Sequence, residues 1–146
     1  MGYYSDVTIL VYGPEDAVTA FLAAQRLRGR NPLEVGGDHL TLSRLPDSCA
    51  DSVEGGSPWL LLRAEFTCVK WYEHYPEVRL WENLLSDADD ASAEADYSGG
   101  VCYEYIRAGE DPGDVEYRFS SHSEHFLTAR TVVECGAPTG ELINLK

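Results

Sequence analysis

Hydrophobic and polar positions along the chain follow two different periods. In residues 59–69 every second side chain is apolar, which is typical of a strand with one buried face. The apolar positions of this strand are Leu60, Leu62, Ala64, Phe66 and Cys68. Residues 6–12 are β-branched and apolar and predict a central strand. Further strands are predicted at residues 39–45, 101–106, 114–119 and 126–135.

Two segments instead have the period of an amphipathic helix. The first follows Gly13-Pro14, where a proline and two acids suit a first helical turn. Its predicted buried face consists of Ala17, Val18, Phe21, Ala24 and Leu27. The second helix begins at Pro76 and is predicted to bury Val78, Trp81 and Leu85. Residues 86–96 are small and acidic, and predict either a frayed helix end or a mobile loop.

The predicted order of elements is β-α-β-β-α-β-β-β, which indicates an α+β fold. The first six elements match a ferredoxin-like βαββαβ two-layer sandwich, to which two extra C-terminal antiparallel strands are added. We expect both helices to cover one face of a mostly antiparallel sheet. Residues 46–58 are rich in turn formers and are interpreted as an inserted loop. Residues 1–146 are therefore predicted to form a single domain.

The chain is strongly acidic, with a formal net charge of −14. Phosphate binding requires cations, so direct binding of nucleic acid or of an anionic membrane is not expected. A basic protein, or a protein that holds nucleic acid in a basic groove, would be attracted. The opening residues lack a basic signal-peptide region, and no long apolar run is present. We therefore expect a cytoplasmic protein with reduced cysteines.

The acidic excess is concentrated in one part of the sequence. Residues 1–46 are almost neutral, whereas residues 77–116 hold twelve acids and only two bases, Arg79 and Arg107. If this segment forms one face, it predicts a surface for a basic partner; the alternative is a set of solvated turns that provide solubility. The predicted partner-binding residues are Glu82, Asp87, Asp89, Asp90, Glu94, Asp96, Glu104, Glu110, Asp111 and Asp114.

Catalytic and metal-binding patterns are weak in this sequence. No nucleophile elbow, zinc-protease motif or glycine-rich phosphate loop is present, so we predict no enzyme activity, no catalytic residue and no cofactor. Asp87-x-Asp89-Asp90 lacks the later ligands of a calcium loop, and His122-x-x-His125 lacks an evident third zinc ligand, so no metal site is predicted. The nine tyrosines favour packing or contacts with a protein.

Three blocks of sequence carry a resemblance to known proteins. Residues 1–7 (MGYYSDV), 70–78 (KWYEHYPEV) and 105–111 (YIRAGED) resemble small uncharacterised proteins of bacteriophages and prophages. The resemblance implies an origin in a phage or another mobile element, and hence the cytoplasm of a bacterial host. It transfers no catalytic residue. In composition the chain also resembles acidic anti-CRISPR proteins and DNA mimics, which place carboxylates where phosphates would lie.

These observations lead to two functional hypotheses from different classes. The first is a non-enzymatic anti-defence inhibitor that binds a basic host protein or nucleoprotein complex, such as a CRISPR effector, by mimicking the charge of nucleic acid. The alternative is a phage accessory domain that binds another protein through an aromatic surface, with the charge serving solubility. A small-ligand enzyme on a ferredoxin-like scaffold would need a closed polar pocket. The protein is expected to be a monomer or a homodimer.

Overall fold

The computed structural model describes residues 3–31, 39–44, 59–94, 101–111, 113–120, 127–128, 134–135 and 141–142. Two helices lie within these residues, α1 at Glu15–Leu27 and α2 at Pro76–Glu94. The five longer strands are β1 at Ser5–Pro14, β2 at His39–Arg44, β3 at Trp59–Val69, β4 at Cys102–Gly109 and β5 at Val115–Phe119. The three short strands are β6 at Leu127–Thr128, β7 at Glu134–Cys135 and β8 at Glu141–Leu142.

The main sheet is antiparallel and has the strand order β5-β4-β1-β3-β2-β8. Strand β1 lies in its centre, and Leu10 faces Arg63 of β3 on one side and Glu104 of β4 on the other. The two-residue strand β8 extends the edge beside β2, while β6 and β7 form a separate pair. The predicted α+β class with a mostly antiparallel sheet is confirmed.

Both helices pack against the same face of the sheet. Val7, Ile9 and Val11 point toward this side from β1, because alternate residues of a strand share one face. The helices contribute a set of buried apolar side chains, namely Val18, Phe21, Trp81, Leu84, Leu85 and Ala88. Burial of these large side chains provides the main stabilisation of the two layers.

The other face of the sheet is also buried at its centre. Leu10, Leu61 and Ile106 lie on this side, and each is at most 1% exposed. The expectation that residues 59–69 form a strand with one buried side is therefore incomplete. Such burial on both faces agrees with the apolar character of β1 and of Leu60–Leu62.

The first helix differs from its prediction at its C-terminal end. Leu27, predicted to lie in the core, is 90% exposed, and the buried position one turn from Phe21 belongs to Gln25. The reason is helical geometry, since Leu27 is nine residues beyond buried Val18 and thus about half a turn away from it. The end of the buried face is polar, and this position contributes to the site described below.

The second helix is longer than its apolar pattern. It begins at Pro76, as predicted, and continues through the acidic segment to Glu94, so the small residues after Leu85 extend the helix. Ala88 is fully buried and continues the apolar face by one turn. Asp96, in contrast, lies outside the described residues.

A bulge interrupts the alternation at the end of β3. The pairing of β1 with β3 shifts between Ser5 and Val7, and Cys68 adopts a positive φ of 54°. Cys68 is therefore exposed, and the prediction that it lies on the apolar face is wrong. Its backbone N–H donates to Asp6 Oδ1 at 2.8 Å. Val69 packs against the core in its place.

The C-terminal strands also differ from their prediction. The single strand expected at 126–135 is instead a pair of two-residue strands, since Leu127 is paired with Cys135 and Thr128 with Glu134. Of the two extra strands predicted, β5 does extend the main sheet, beside β4. The insertion predicted at 46–58 lies outside the described residues.

The left-handed conformation of Cys68 makes a specific prediction about stability. Cys68→Val should lower the free energy of unfolding by about 1 kcal/mol, because a β-branched side chain is strained at positive φ although valine favours strands. Cys68→Gly is the matched control at the same position, because glycine adopts a positive φ without strain, and it should change stability by less than about 0.5 kcal/mol. Urea denaturation measures both. Equal effects of the two substitutions would contradict the bulge.

Candidate functional site

The predicted acidic surface is divided between the two ends of the sheet. Strand β4 begins opposite Tyr12 and ends opposite Ser5, so the turn after β4 lies near the start of β1. Helix α2 starts at this same end, since it follows β3, whose last residue pairs with Ser5. Its C-terminal half therefore lies at the opposite end, about 20 Å away at 1.5 Å per residue. The eight predicted acids whose side chains the structure describes, which exclude Glu94 and Asp96, do not form one contiguous face.

Asp87 binds the end of α1. Its Oδ2 accepts hydrogen bonds from Gln25 Nε2 at 3.0 Å, from Arg30 at 2.6 Å and from Arg28. The bond from Gln25, together with those from Arg30 and Arg28, outweighs burial and lowers the pKa of Asp87. Two arginines surround one carboxylate, so this cluster carries no negative excess. Asp87 connects the two helices and is not an open contact residue.

Glu82 is likewise paired. Both of its carboxylate oxygens accept hydrogen bonds from Arg118 of β5, at 2.9 and 2.6 Å. The Arg118 guanidinium also lies 4.0 Å from the centre of the Tyr105 ring. Burial is the largest single effect and lowers the pKa of Arg118, but the hydrogen bonds and the charge of Glu82, together with Tyr105 and Glu116, outweigh it and raise the pKa. The bidentate pair attaches the middle of α2 to the edge strand of the sheet.

Asp114 forms the centre of a third cluster, in the turn between β4 and β5. Its carboxylate accepts hydrogen bonds from Arg107, at 2.9 and 3.2 Å, and from Tyr3 Oη, at 2.5 Å. The bonds from Arg107 and Tyr3 lower the pKa of Asp114. A side chain at Gly109 would collide with Tyr3 and Asp114, which explains the glycine. Asp114 thus holds the N-terminal segment in place.

Glu110 and Asp111 lie in the same turn and are exposed. Glu110 Oε1 accepts a hydrogen bond from the backbone N–H of Tyr4 at 2.8 Å. The backbone N–H of Asp111 donates a hydrogen bond to Tyr3 Oη at 3.1 Å. The Asp111 carboxylate has no ion pair with another described residue. These two acids form a small acidic group at the end of the sheet where α2 begins.

Glu104 lies in the interior and is not a surface residue. It is 0% exposed, and its carboxylate accepts hydrogen bonds from Tyr12 Oη at 2.5 Å and from Tyr117 Oη at 3.0 Å. Burial, followed by the neighbouring Glu104, raises the pKa of Tyr117. The inclusion of Glu104 among partner-binding residues is therefore wrong. The sequence does not indicate that Glu104 is buried, because β4 has polar residues at several positions.

Asp89 and Asp90 remain as open carboxylates in the C-terminal half of α2. Both are exposed, and neither forms an ion pair with any residue that the structure describes. The last turn of α2 contains no basic residue, although cations are favoured there by the helix dipole. Glu94 is the last residue of the helix. Asp89 and Asp90 are hereafter called the α2 acids.

A partly exposed group of aromatic rings precedes α2, and the sequence analysis did not include its histidine. Tyr72 stacks on His74 at 6.0 Å, and Tyr75 contacts both rings edge-on at 5.3 and 4.8 Å. Tyr4, 37% exposed, lies nearby with Lys70 5.8 Å from its ring centre. The density of aromatic residues in 70–75 could have indicated such a group. It does not show which rings are in contact.

In the part of the chain that the structure describes, no three His, Cys, Asp or Glu residues are grouped as metal ligands would be. Asp87, Asp89 and Asp90 lie on a helix rather than in a calcium loop, and His122 and His125 lie outside the described residues. Neither described helix has the length and apolar character needed to cross a membrane.

Comparison of the chain with protein-family models, with curated proteins and with solved structures gives no match in any of the three. The geometry of the described residues is therefore the basis for assigning a function.

The Asp87 cluster predicts a pH-dependent contribution to stability. Asp87→Asn should lower the free energy of unfolding at neutral pH by about 1 kcal/mol, because two arginines lose their carboxylate. The folded-state pKa of Asp87 is below its usual 3.8, so this contribution is present above pH 3.8 and is lost as the pH falls through the folded-state value. Chemical denaturation of both proteins between pH 7 and acidic pH measures the difference.

Asp90→Asn is the matched control, because it removes the same charge from an exposed, unpaired position in the same helix. It should leave stability unchanged or raise it slightly, since a carboxylate near a helix C-terminus is unfavourable. If Asp90→Asn and Asp87→Asn have the same effect at every pH, the role of the Asp87 cluster is refuted.

Proposed function

We propose that this protein is a non-enzymatic inhibitor that binds a basic, nucleic-acid-handling host protein through the α2 acids. The observation that carries the proposal is the exposure of Asp89 and Asp90 without a described cationic partner. A net charge of −14 makes electrostatic attraction to a basic groove favourable and fast. Glu94 and Asp96 follow in sequence and add to the negative charge of this segment.

The position of the α2 acids supports a role in binding rather than in stability. Carboxylates near a helix C-terminus are destabilising by roughly 0.3–1 kcal/mol each. The protein neutralises Asp87 with Arg28 and Arg30, which directly follow α1, whereas Asp89 and Asp90 have no such partner among the described residues. Residues that oppose the helix dipole and remain open to solvent are suited to a cationic surface on another molecule.

We also propose a ferredoxin-like core and a phage origin for the protein. The neighbouring strands β4-β1-β3-β2 are antiparallel throughout, and both helices cover one face, which supports the first suggestion. The phage origin is supported by the resemblance of the three sequence blocks, whose described residues lie close together at one end of the sheet. There the backbone N–H of Tyr3 donates to Tyr72 Oη at 2.7 Å, and Tyr3 Oη contacts Asp111.

The meeting of these blocks also favours a second candidate function. The aromatic group of Tyr4, Tyr72, His74 and Tyr75 lies at this end of the sheet, remote from the α2 acids. Tyrosines at a partly exposed site are effective anchors for a protein partner. In this alternative the protein is an accessory protein-interaction domain, and its charge serves solubility.

Charge reversal distinguishes the two candidates. The double variant Asp89→Lys/Asp90→Lys should abolish displacement of labelled DNA from purified CRISPR effector complexes, measured by fluorescence polarisation at about 50 mM salt. Wild-type affinity should fall at least about tenfold when the salt is raised to about 200 mM, as expected for an electrostatic contact. Asp87 is excluded from the variant because its loss would weaken the contact between the helices.

Asp16→Lys/Glu77→Lys is the control, since it makes the same change in net charge at exposed positions in the first turns of α1 and α2. It should retain most of the inhibition. Tyr4→Ala/His74→Ala tests the aromatic alternative and should leave DNA displacement unchanged. No displacement by the wild type at low salt, or an equal loss in both charge-reversal variants, would refute the proposal.

A further inference from the structure

The aromatic group and the acidic turn after β4 are joined by Tyr3 into one surface. The backbone N–H of Tyr3 donates a hydrogen bond to Tyr72 Oη at 2.7 Å, and Tyr3 Oη accepts one from the backbone N–H of Asp111 at 3.1 Å. In the same turn, Glu110 Oε1 accepts a hydrogen bond from the backbone N–H of Tyr4 at 2.8 Å. We call this the end surface, and its members are Tyr4, Tyr72, His74, Tyr75, Glu110 and Asp111.

The end surface is open to solvent, and its rings are held in place. Tyr4 is 37% exposed, His74 and the two acids are exposed, and Tyr72 and Tyr75 are half-buried. The rings of Tyr72, His74 and Tyr75 contact one another, and the hydrogen bond from Tyr3 fixes Tyr72 further. Aromatic rings that are already ordered lose little conformational entropy when a partner binds, so this surface is suited to recognition.

The unpaired charge around these rings is negative. Residues 70–79 and 110–111 contain four acids and two bases, and none of these six side chains forms an ion pair with a described residue. The four negative and two positive charges sum to −2, because no arginine neutralises these acids as Arg107 neutralises the nearby Asp114. An excess of unpaired carboxylates beside ordered rings favours a cationic partner. The acids are Glu73, Glu77, Glu110 and Asp111, and the bases are Lys70 and Arg79.

Tyr4 binds a cation of the chain itself. Lys70 Nζ lies 5.8 Å from the centre of the Tyr4 ring, which is within the range of a cation–π interaction. Arginine suits this position better than lysine, because its planar guanidinium stacks on an aromatic face and can also bind a carboxylate through two N–H groups. Glu110 supplies such a carboxylate, since its hydrogen bond to the Tyr4 N–H holds it beside that residue.

We propose that the end surface binds an arginine-rich segment of a partner protein. A guanidinium of this segment replaces Lys70 on the Tyr4 ring and pairs with the carboxylate of Glu110, and the three other rings contact the apolar parts of the segment. The inference rests on the second candidate function, for which it names the chemistry of the partner. It is separate from the α2 acids, because these lie at the opposite end of the sheet.

Titration of short peptides into the isotope-labelled full chain tests the proposal by nuclear magnetic resonance. The probes are a glycine-arginine repeat peptide and the same peptide with citrulline, which retains the shape of arginine without its charge. We expect saturable shifts of the Tyr4, His74 and Glu110 signals with the arginine peptide, and binding at least about tenfold weaker with the citrulline peptide. Equal binding of the two peptides would overturn the inference and leave an aromatic protein-binding surface standing.

Removal of the two acids from the turn separates a local site from general attraction to the chain. Glu110→Gln/Asp111→Asn should weaken binding of the arginine peptide about tenfold, as expected for the loss of charged hydrogen bonds. Asp89→Asn/Asp90→Asn makes the same change in net charge at the other end of the sheet and should alter the affinity by less than about twofold. If both variants weaken binding equally, the peptide responds only to net charge and the inference is wrong.

Lys70→Gln tests the same site and keeps the hydrogen bonds of the N-terminal segment. It should strengthen binding of the arginine peptide about threefold, because it removes the competing cation from the Tyr4 ring. Arg26→Gln, at an exposed arginine of α1, makes the same charge change and should leave the affinity unchanged. Equal effects of these two variants, or no saturable shift with the arginine peptide, would overturn the inference.

Discussion

Strand β1 is hydrogen-bonded along both edges and buried on both faces, and the other elements are arranged around it. Its pairing with β3 and β4 fixes the direction in which α2 must run, because α2 connects the end of one partner strand to the start of the other. The acidic turn after β4 and the acidic end of α2 are thereby placed at opposite ends of the sheet. A register shift of one residue would exchange the two faces of β1, so both cores depend on this pairing.

Charge compensation between distant segments is the second organising feature. The acid-rich segment contains only two bases, but Arg28, Arg30 and Arg118, from outside it, bind Asp87 and Glu82. These pairs attach α2 to α1 and to the edge strand. The net charge of the segment therefore overstates the negative charge that a partner would meet. What remains open is a smaller set of carboxylates, and its position on the fold is more informative than the total charge.

The long apolar elements could be predicted from the sequence, since strand and helix periods are local properties. Both ends of β3 and the start of α2 at Pro76 agree with the prediction. The errors have non-local causes. Cys68 is turned outward by a bulge that depends on the pairing of β3 with β1, and Glu104 is buried because two tyrosines on other strands bind it. Neither partner is evident from the sequence neighbourhood of these residues.

The candidate sites differ in how far the sequence could predict them, for the same reason. The α2 acids are adjacent in sequence and on one helix, so their closeness could be predicted from the sequence. Glu82 and Arg118 are distant in sequence, and only the packing of α2 against β5 brings them together. That bidentate pair occupies both terminal nitrogens of Arg118 and holds its guanidinium over the Tyr105 ring. Composition alone therefore locates the charges, whereas the pairing of the strands and helices decides which of them are neutralised and which stay open to solvent.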